Sequence, residues 1–207
     1  NNDGVDPEYS SDILIENVLF DNADDNVAIK AGRDDEGRSN SNTPSENIVI
    51  RNCEFKGLHA IVIGSEMSAG VRNVYVEKSK FRGYLKRGIF IKTNSDRGGY
   101  VKDIYFNNLA FGKVEDCLYI TANYHGEGSG LFPTKISDVS FSNISCLEAT
   151  NTGIVIEGYP DKKVANIKLD NINIQSAKNG MTITNTENVT TNEVVIGTKA
   201  TIPTAIK

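Results

Sequence analysis

An apolar segment preceded by Asp or Asn recurs along the whole chain and constrains the fold more than any other feature. Its copies begin at six positions: Asp12, Asn47, Asn73, Asp103, Asp138 and Asn166. In five copies an Asn stands five residues later, and the third copy has Lys78 there. A second apolar triplet follows after nine to eleven more residues. A unit repeated at a period of 26 to 35 residues indicates a solenoid.

The repeated segments indicate strands rather than helices. They are short, rich in β-branched residues and separated by polar turns, and no helical periodicity runs through the chain. We therefore predict an all-β fold, a single-stranded parallel β-helix in which residues 1–207 form one continuous domain of six coils. Equivalent positions stack in such a fold, so the Asn residues at the fifth place are expected to form a ladder between coils. They are Asn17, Asn52, Asn108, Asn143 and Asn171.

Charge and composition exclude several classes of function. A net charge of −5 and a pI near 5.1 argue against a nucleic-acid partner. No apolar stretch approaches the roughly 20 residues that span a membrane. The three cysteines are an odd number and include no Cys-x-x-Cys pair, so we expect neither a disulfide framework nor a zinc site. We predict instead that Cys53, Cys117 and Cys146 are small buried residues.

Side-chain alternation along each strand predicts which residues of the repeat point outward. If Val27 and Ile29 point inward, Ala28 and Lys30 point outward. The same phase places further residues on this outer face: Val62, Gly64, Phe90, Lys92, Tyr119, Thr121, Val155 and Glu157. A stacked column two residues before each second strand contains Asp25, His59, Arg87, Asp116 and Thr152. We therefore expect acids, an imidazole, cations and aromatic rings from different coils to meet in one patch.

Three acids crowd the mouth of one of these strands. Asp21, Asp24 and Asp25 lie within five residues, and their mutual repulsion adds nothing to stability. Either these carboxylates perform chemistry, or they bind a cation, or they form a solvated acidic turn.

Several motifs resemble one known family in order and spacing. They are Asn1-Asn2-Asp3-Gly4, Asp24-Asp25, His59 before the sequence IVIGS, and Ile91-Lys92-Thr93. Together they resemble the polygalacturonase family of right-handed β-helices, glycoside hydrolase family 28. The segments DDNVAIKAGRD, VIGSEMSAGVRNV and RGIFIKTNSDRGG look particularly like its exo-acting bacterial branch. The resemblance covers the C-terminal portion of a typical member, and it implies that further coils of the full-length chain precede Asn1.

This resemblance implies an activity and roles for individual residues. Members hydrolyse α-linked galacturonic acid in pectin with inversion, without a cofactor or metal, outside the cytoplasm, so a secreted or periplasmic protein acting on a pectic polysaccharide or oligogalacturonide is expected. Carried over by motif, Asp24 is the general acid, and Asp3 and Asp25 hold and deprotonate the attacking water. Repulsion from these neighbours favours the protonated form that a general acid requires. Lys92 is expected to bind a substrate carboxylate.

Other residues are predicted to bind substrate with less support from the motifs. Lys30 and Arg33 are cations on or beside the outer face, and the insertion 33–45 is expected to wall off one end of the groove, which favours exo action. Further sugar contacts are expected from loop residues: Glu66, Tyr124, His125 and Glu127.

The chain departs from the family pattern at two places. The family has Gly-His-Gly before the IVIGS strand, and counting back from that strand places Leu58 in the histidine position and His59 one place late. We still expect His59 to face the acids, because it falls in the column of Asp25. Phe90 stands where the family has an arginine; a ring there can stack on a sugar but cannot bind a carboxylate, and Arg87 is expected to supply the charge instead.

Two other classes of protein remain open at this stage. A pectate-lyase-like enzyme shares the β-helix and the acidic substrate, but it needs calcium, and the acidic segment does not match the EF-hand calcium loop. A non-catalytic β-helix, such as a carbohydrate-binding or adhesin module, makes Asp3, Asp24 and Asp25 incidental.

Overall fold

The computed structural model describes residues 2–126 and 130–198, and these residues form a parallel β-helix. Its strands are β1 (Ser11–Glu16), β2 (Leu19–Ile29), β3 (Ser45–Arg51), β4 (Glu54–Gly64), β5 (Val71–Lys92), β6 (Tyr100–Thr121), β7 (Lys135–Glu157), β8 (Val164–Thr184) and β9 (Thr186–Thr198). A short helix, α1 (Asp34–Ser39), follows β2, and one turn of 3-10 helix (Tyr124–Gly126) follows β6.

Every ladder between named strands is parallel, and each coil stacks on the one before it. β1 pairs with β3, β3 with β5, and the order then continues through β6, β7 and β8 to β9. On the second side of the coil β2 pairs with β4, and β4 with β5. The predicted all-β fold is confirmed as a right-handed parallel β-helix.

The corners of the coils explain the repeated Asn and Asp residues. Asp12, Asn47 and Asn73 all have φ between 55° and 59°, the left-handed region that Asn and Asp tolerate better than most residues. The residues at the fifth place share this conformation, including Lys78 at 49°. The chain therefore turns at two columns per coil while hydrogen bonding between coils continues, which is why single strands reach 23 residues.

The predicted Asn ladder needs a correction, because its clearest hydrogen bonds lie in the first column. There Asn47 donates to Asp12 over 3.0 Å, and Asn73 donates to Asn47 over 3.1 Å. At the fifth place Asn171 donates to Asn143 over 2.7 Å, but Asn143 itself donates to Asn107, outside that column. The shared requirement of the fifth place is thus the left-handed backbone.

A seventh coil extends the six copies found in the sequence. Asn188 continues the first column, with φ of 54° and a hydrogen bond to Asn166 of 3.1 Å. It comes 22 residues after Asn166, a spacing shorter than the period of 26 to 35 residues that relates the other copies.

The interior is one continuous apolar core filled by stacked columns. Phe20, Phe55, Phe81 and Phe111 stack with centroid distances of 5.3, 5.0 and 4.0 Å, and Cys146 takes the next position. The three cysteines are free and buried, as predicted.

Side chains of α1, in the insertion after β2, contact residues on two different parts of the solenoid. Glu36 accepts a hydrogen bond from the Tyr9 hydroxyl over 2.7 Å, and Arg38 bonds the carbonyl of Asp96 and covers the Phe132 ring at 3.8 Å. α1 therefore joins the first coil to the loop after β5. No helix among the described residues is long and apolar enough to cross a membrane.

Candidate active site

The N-terminal segment adds a partial coil that brings Asp3 to the paired acids. Gly4 N donates to the carbonyl of Asp25 over 2.9 Å, and Val5 N donates to the carbonyl of Asn26 over 3.0 Å. A Cβ at Gly4 would collide with that Asn26 carbonyl oxygen, so only glycine permits the close approach. Asp3, Asp24 and Asp25 consequently line one cavity.

A bulge in β2 presents the two adjacent acids together. Asn22 pairs with Gly57 and Asp25 pairs with His59, so β2 has two residues where β4 has only Leu58. Successive strand residues normally point to opposite faces, and the extra residue relaxes that rule locally. Asp24 and Asp25 therefore line the same cavity although they are neighbours in sequence.

Two asparagines missed by sequence reasoning hold this bulge in place. The Asn22 side chain donates to the carbonyls of Asn2 over 2.7 Å and Asp25 over 3.1 Å. Asn26 is fully buried and donates to the Asn22 side chain and to the Lys56 carbonyl, both over 2.7 Å. The sequence did contain a signal for them. Asn22 and Asn26 are four residues apart and flank the acids, and a solvated turn requires neither amide.

Asp25 is buried and held as a carboxylate by two partners. Its Oδ1 lies 2.7 Å from His59 Nδ1, and its Oδ2 accepts a hydrogen bond from Lys92 Nζ over 3.1 Å. The residue is only 4% exposed, and burial alone raises the pKa of Asp25. The His59 hydrogen bond and the Lys92 charge outweigh burial and lower that pKa below the ordinary carboxyl value.

Asp24 lies beside this assembly without a cation of its own. One carboxylate oxygen of Asp24, one of Asp25 and one ring nitrogen of His59 lie within 4.8 Å of one another. No ion pair joins Asp24 to any residue in the described ranges 2–126 and 130–198. The three groups have the spacing of a cation site, but Asp25 already satisfies its two oxygens with His59 and Lys92.

Asp3 lines the same cavity, and one of its carboxylate oxygens is paired while the other is not. Its Oδ2 lies 3.4 Å from Lys30 Nζ, which also bonds Asp6 over 2.7 Å. Burial, partly offset by Lys30 and reinforced by Asp3, raises the pKa of Asp6. Asp3 Oδ1 is buried and has no hydrogen-bond partner within the described part of the chain. A buried acceptor of this kind is suited to a water molecule.

Two neighbouring cavities meet at His59 and Tyr124. The first has a volume of about 310 Å³ and is lined by Asp3, Asp24, Asp25, Lys30, His59, Gly64, Ser65, Glu66, Lys92 and Tyr124. The second has a volume of about 260 Å³ and is lined by His59, Lys86, Arg87, Phe90, Tyr119, Thr121, Asn123, Tyr124, His125 and Glu157. Of the predicted site residues, only Arg33 lines neither cavity; its side chain is 64% exposed, 3.9 Å from Glu66. Glu127 lies outside the described residues.

The predicted column and the phase of the outer face are confirmed by the strand register. Asp25 pairs with His59, His59 with Arg87, Arg87 with Asp116, and Asp116 with Thr152. The one-place shift inferred from the family pattern does not remove the histidine: Leu58 is exposed, and His59 contacts Asp25.

Phe90 points outward as predicted but is largely covered. It packs on Ala28 and Val62 and is only 7% exposed. The His59 and Tyr119 rings approach it edge-on at centroid distances of 5.4 Å. Phe90 therefore forms part of the wall of the second cavity, and its predicted role as a sugar contact stays a prediction.

Arg87 lies in the second cavity with its charge already engaged. Its guanidinium is 2.9 Å from Glu115 and 2.8 Å from Asp116, and it lies 4.7 Å above the Tyr119 ring. Burial raises the pKa of Asp116, and the charge of Arg87 partly offsets this effect. Binding of a substrate carboxylate by Arg87, as predicted, competes with two carboxylates of the protein.

Comparisons with known proteins identify a family for this chain. The sequence model described as "Glycosyl hydrolases family 28" matches residues 1–195. An endo-polygalacturonase of Pectobacterium carotovorum subsp. carotovorum is 32% identical over 85% of this chain and 41% of its own length. A polygalacturonase of Ralstonia solanacearum is 28% identical over 83% of this chain and 32% of its own length. This chain thus spans well under half of each relative.

A solved structure extends the likeness to the fold. The crystal structure of a hyperthermoactive exopolygalacturonase from Thermotoga maritima superposes with a TM-score of 0.88 at 32% identity, covering 94% of this chain and 44% of that one. The family match over nearly the whole sequence and the shared fold lead to one conclusion. The chain belongs to glycosyl hydrolase family 28.

Proposed function

We propose that the full-length protein is an inverting glycoside hydrolase that cleaves α-galacturonic acid linkages in pectic substrates. The observation that most supports this proposal is the difference between the surroundings of two adjacent acids. Asp25 is bonded to His59 and Lys92, whereas Asp24, within 4.8 Å of it, has no cation partner among the described residues. The two carboxyl groups thus lie in different surroundings, which suits them to different roles in the reaction.

The proposed reaction assigns one role to each acid. Asp24 donates its proton to the glycosidic oxygen, and the bond from the anomeric carbon to that oxygen breaks. A water molecule held by Asp3 and Asp25 attacks the anomeric carbon and transfers its proton to one of these carboxylates. His59 positions Asp25 through the 2.7 Å contact. Inversion follows from the family resemblance, since the Asp24–Asp25 contact gives no independent measure of it.

The substrate proposal rests on the cations of the first cavity. Lys30 and Lys92 line it, and Arg33 lies near its rim beside Glu66. A uronate carboxylate bound there gains charge-assisted hydrogen bonds. We further propose that α1 closes one end of the groove, which gives exo action, and that the protein is exported to where pectin is found. That further coils precede Asn1 stays a prediction.

The test compares Asp24→Asn with Asp21→Asn in the full-length protein on polygalacturonate. Both variants replace one carboxylate in the same segment, but the Asp21 side chain is 67% exposed, and its one ion pair within the described residues is with Lys56, at 3.7 Å. Loss of a general acid lowers kcat by roughly 10²- to 10⁴-fold, so Asp24→Asn falls by that factor and Asp21→Asn retains wild-type turnover. Equal activity of both variants contradicts the proposal.

The same assay separates the competing classes. A lyase releases products with an unsaturated bond that absorbs in the ultraviolet and loses activity with a chelator. A non-catalytic module binds the polysaccharide without turnover, and Asp24→Asn leaves binding unchanged. The family match gives neither alternative support, and reducing ends formed without ultraviolet absorbance exclude both.

A further inference from the structure

We propose that Phe90 is a positioning residue, whose ring, together with that of Tyr124, holds the Lys92 ammonium group against Asp25. The inference rests on the proposed function, because it gives Lys92 a task in keeping Asp25 ready to accept a proton from water. It is supported by the distances from the ammonium group to the two rings, by its hydrogen bond and by its burial.

The Lys92 ammonium group lies in a corner formed by two aromatic rings. Its Nζ is over the Phe90 ring, 5.4 Å from the centroid, and over the Tyr124 ring, 5.2 Å from the centroid. The two rings meet at 74°, with their centroids 6.0 Å apart. An ammonium group within about 6 Å of a ring centroid is attracted by the negative face of the ring, and more strongly where water is excluded. Lys92 is only 9% exposed, so both contacts act in a site with little water.

This aromatic corner directs the ammonium group at Asp25. Lys92 Nζ donates to Asp25 Oδ2 over 3.1 Å, and this is its one ion pair within the part of the chain that the structure describes. A lysine side chain is long and flexible, so holding it in one geometry costs side-chain entropy. Attraction to two ring faces offsets that cost and fixes the donor on the acid.

Phe90 lies between two cations along β5. Arg87 stands three residues before it, with the guanidinium carbon over the ring at 5.8 Å from the centroid, and Lys92 stands two residues after it. The ring attracts both cations, whereas an arginine at this position would add a third positive charge between them, and like charges repel. The aromatic ring therefore allows both cations to remain in one groove, with Arg87 on Asp116 and Lys92 on Asp25.

Two ionisable side chains bond Asp25 among the described residues, and Phe90 touches both. They are His59 and Lys92, at 2.7 and 3.1 Å from its carboxylate, and the His59 ring approaches Phe90 edge-on at 5.4 Å. Loss of the Phe90 ring therefore disturbs His59 as well as Lys92, and the experiment has to separate the two effects. The other ionisable groups that line the same cavity or adjoin the two rings are Asp3, Asp24, Lys30, Glu66, Arg87 and His125.

The experiment is a double-mutant cycle in the full-length protein, made of wild type, Phe90→Leu, Lys92→Met and the double variant. The pH profile of kcat/KM on oligogalacturonate is measured for each protein, and Tm at neutral pH is a second readout. Phe90→Leu removes the ring, and Lys92→Met removes the ammonium group. Whatever Phe90→Leu does through packing or through His59 is present in both backgrounds, so the cycle isolates what it does through Lys92.

Phe90→Leu is expected to move the acidic limb of the profile to higher pH when Lys92 is present and to leave it in place in the Lys92→Met background. On the acidic side of the optimum, kcat/KM is expected to fall by roughly two- to thirtyfold more in the first case than in the second, the scale of a cation–π contact. The loss of Tm is likewise expected to be larger when Lys92 is present.

Tyr124 provides a second pair of variants that does not disturb the packing of Phe90 on Ala28 and Val62. Tyr124→Leu removes the other ring of the corner and is expected to move the acidic limb in the same direction. Tyr124→Phe keeps the ring and removes only the hydroxyl group, so the acidic limb is expected to stay in place.

Three results overturn the inference. Phe90→Leu changes the acidic limb and Tm equally in both backgrounds; or neither Phe90→Leu nor Tyr124→Leu moves the limb; or the wild type releases no galacturonate. The first two leave hydrolysis of galacturonides intact and refute only the inference. The third refutes the proposed function, and the inference falls with it.

Discussion

Replacement of Lys92 by Met tests the electrostatic arrangement around Asp25. Lys92 Nζ donates to Asp25 Oδ2 over 3.1 Å in a site where Asp25 is almost fully buried. Met fills a similar volume but removes the charge and the donor. Asp25 keeps its contact with His59, so only one of the two effects that lower its pKa is lost.

The size of the change follows from the geometry. Coulomb attraction between unit charges 3.1 Å apart is about 5 kcal/mol at an effective dielectric constant of about 20, and this is a ceiling. A hydrogen bond to a charged group contributes about 1.5–3 kcal/mol net, and its loss raises the pKa of Asp25 in the variant. Since Asp25 must be ionised to accept a proton from water, the acidic limb of the pH profile of kcat/KM moves to higher pH.

Arg33→Met provides the matched control, because it removes an exposed cation near the rim that does not contact Asp25. It is expected to raise KM for uronate substrates while the acidic limb stays in place. If Lys92→Met also raises KM and leaves the acidic limb unmoved, Lys92 acts only on substrate, and the electrostatic reasoning is refuted.

The thermal stability of the same variant gives a readout independent of substrate. A carboxyl group with a lowered folded-state pKa stabilises the fold above its unfolded-state pKa of about 3.9, and this contribution is lost as the pH falls through the folded-state value. The Tm difference between wild type and Lys92→Met is therefore expected to be large at neutral pH and to shrink in acid. A constant difference across this range contradicts the lowered pKa of Asp25.

Three further substitutions test the fold around the site. Asn26→Ala removes two hydrogen bonds of 2.7 Å made by a buried amide. We expect the free energy of unfolding, measured by denaturation, to fall by about 1–3 kcal/mol, and kcat to fall with it. Full activity of the variant would show that the bulge keeps its shape without the Asn26 side chain. Lys78→Asn places at φ of 49° a residue that tolerates the left-handed backbone conformation better than Lys. It is expected to stabilise the fold by up to about 1 kcal/mol and so to raise Tm. An unchanged or lower Tm contradicts the explanation of the corners by left-handed backbone. Phe55→Ala opens the phenylalanine stack and is expected to cost about 3–5 kcal/mol, so a loss below about 1 kcal/mol means the stack relaxes around the gap.

The repeat made most of the fold predictable from sequence. Identical residues at identical phases stack in a β-helix, so counting placed Asp25, His59 and Arg87 in one column, as the strand register shows. The sequence also identified the corner residues, but it predicted an amide ladder for the fifth place where the shared requirement is a left-handed backbone. Both requirements select Asn, so the sequence pattern could not distinguish them.

The site could be predicted only where it depends on register. The pairing of Lys92 with Asp25, and of Arg87 with Asp116, depends on where long side chains end, which phase alone does not give. The β2 bulge could not be predicted either, because one extra residue in a strand is recognised only from its pairing with the neighbouring strand. Sequence reasoning therefore identified these cations correctly as members of the patch but had no means to show that protein carboxylates already engage them.

The stereochemistry of the first product tests the central claim most directly. The full-length protein is mixed with oligogalacturonate in deuterated buffer, and the anomeric proton signals of the released sugar are followed by NMR before mutarotation. Direct attack of water held by Asp3 and Asp25, with Asp24 as the acid, predicts that β-galacturonate appears first and the α form accumulates later. Initial release of α-galacturonate, or of an unsaturated product, would contradict the assigned roles of all three acids.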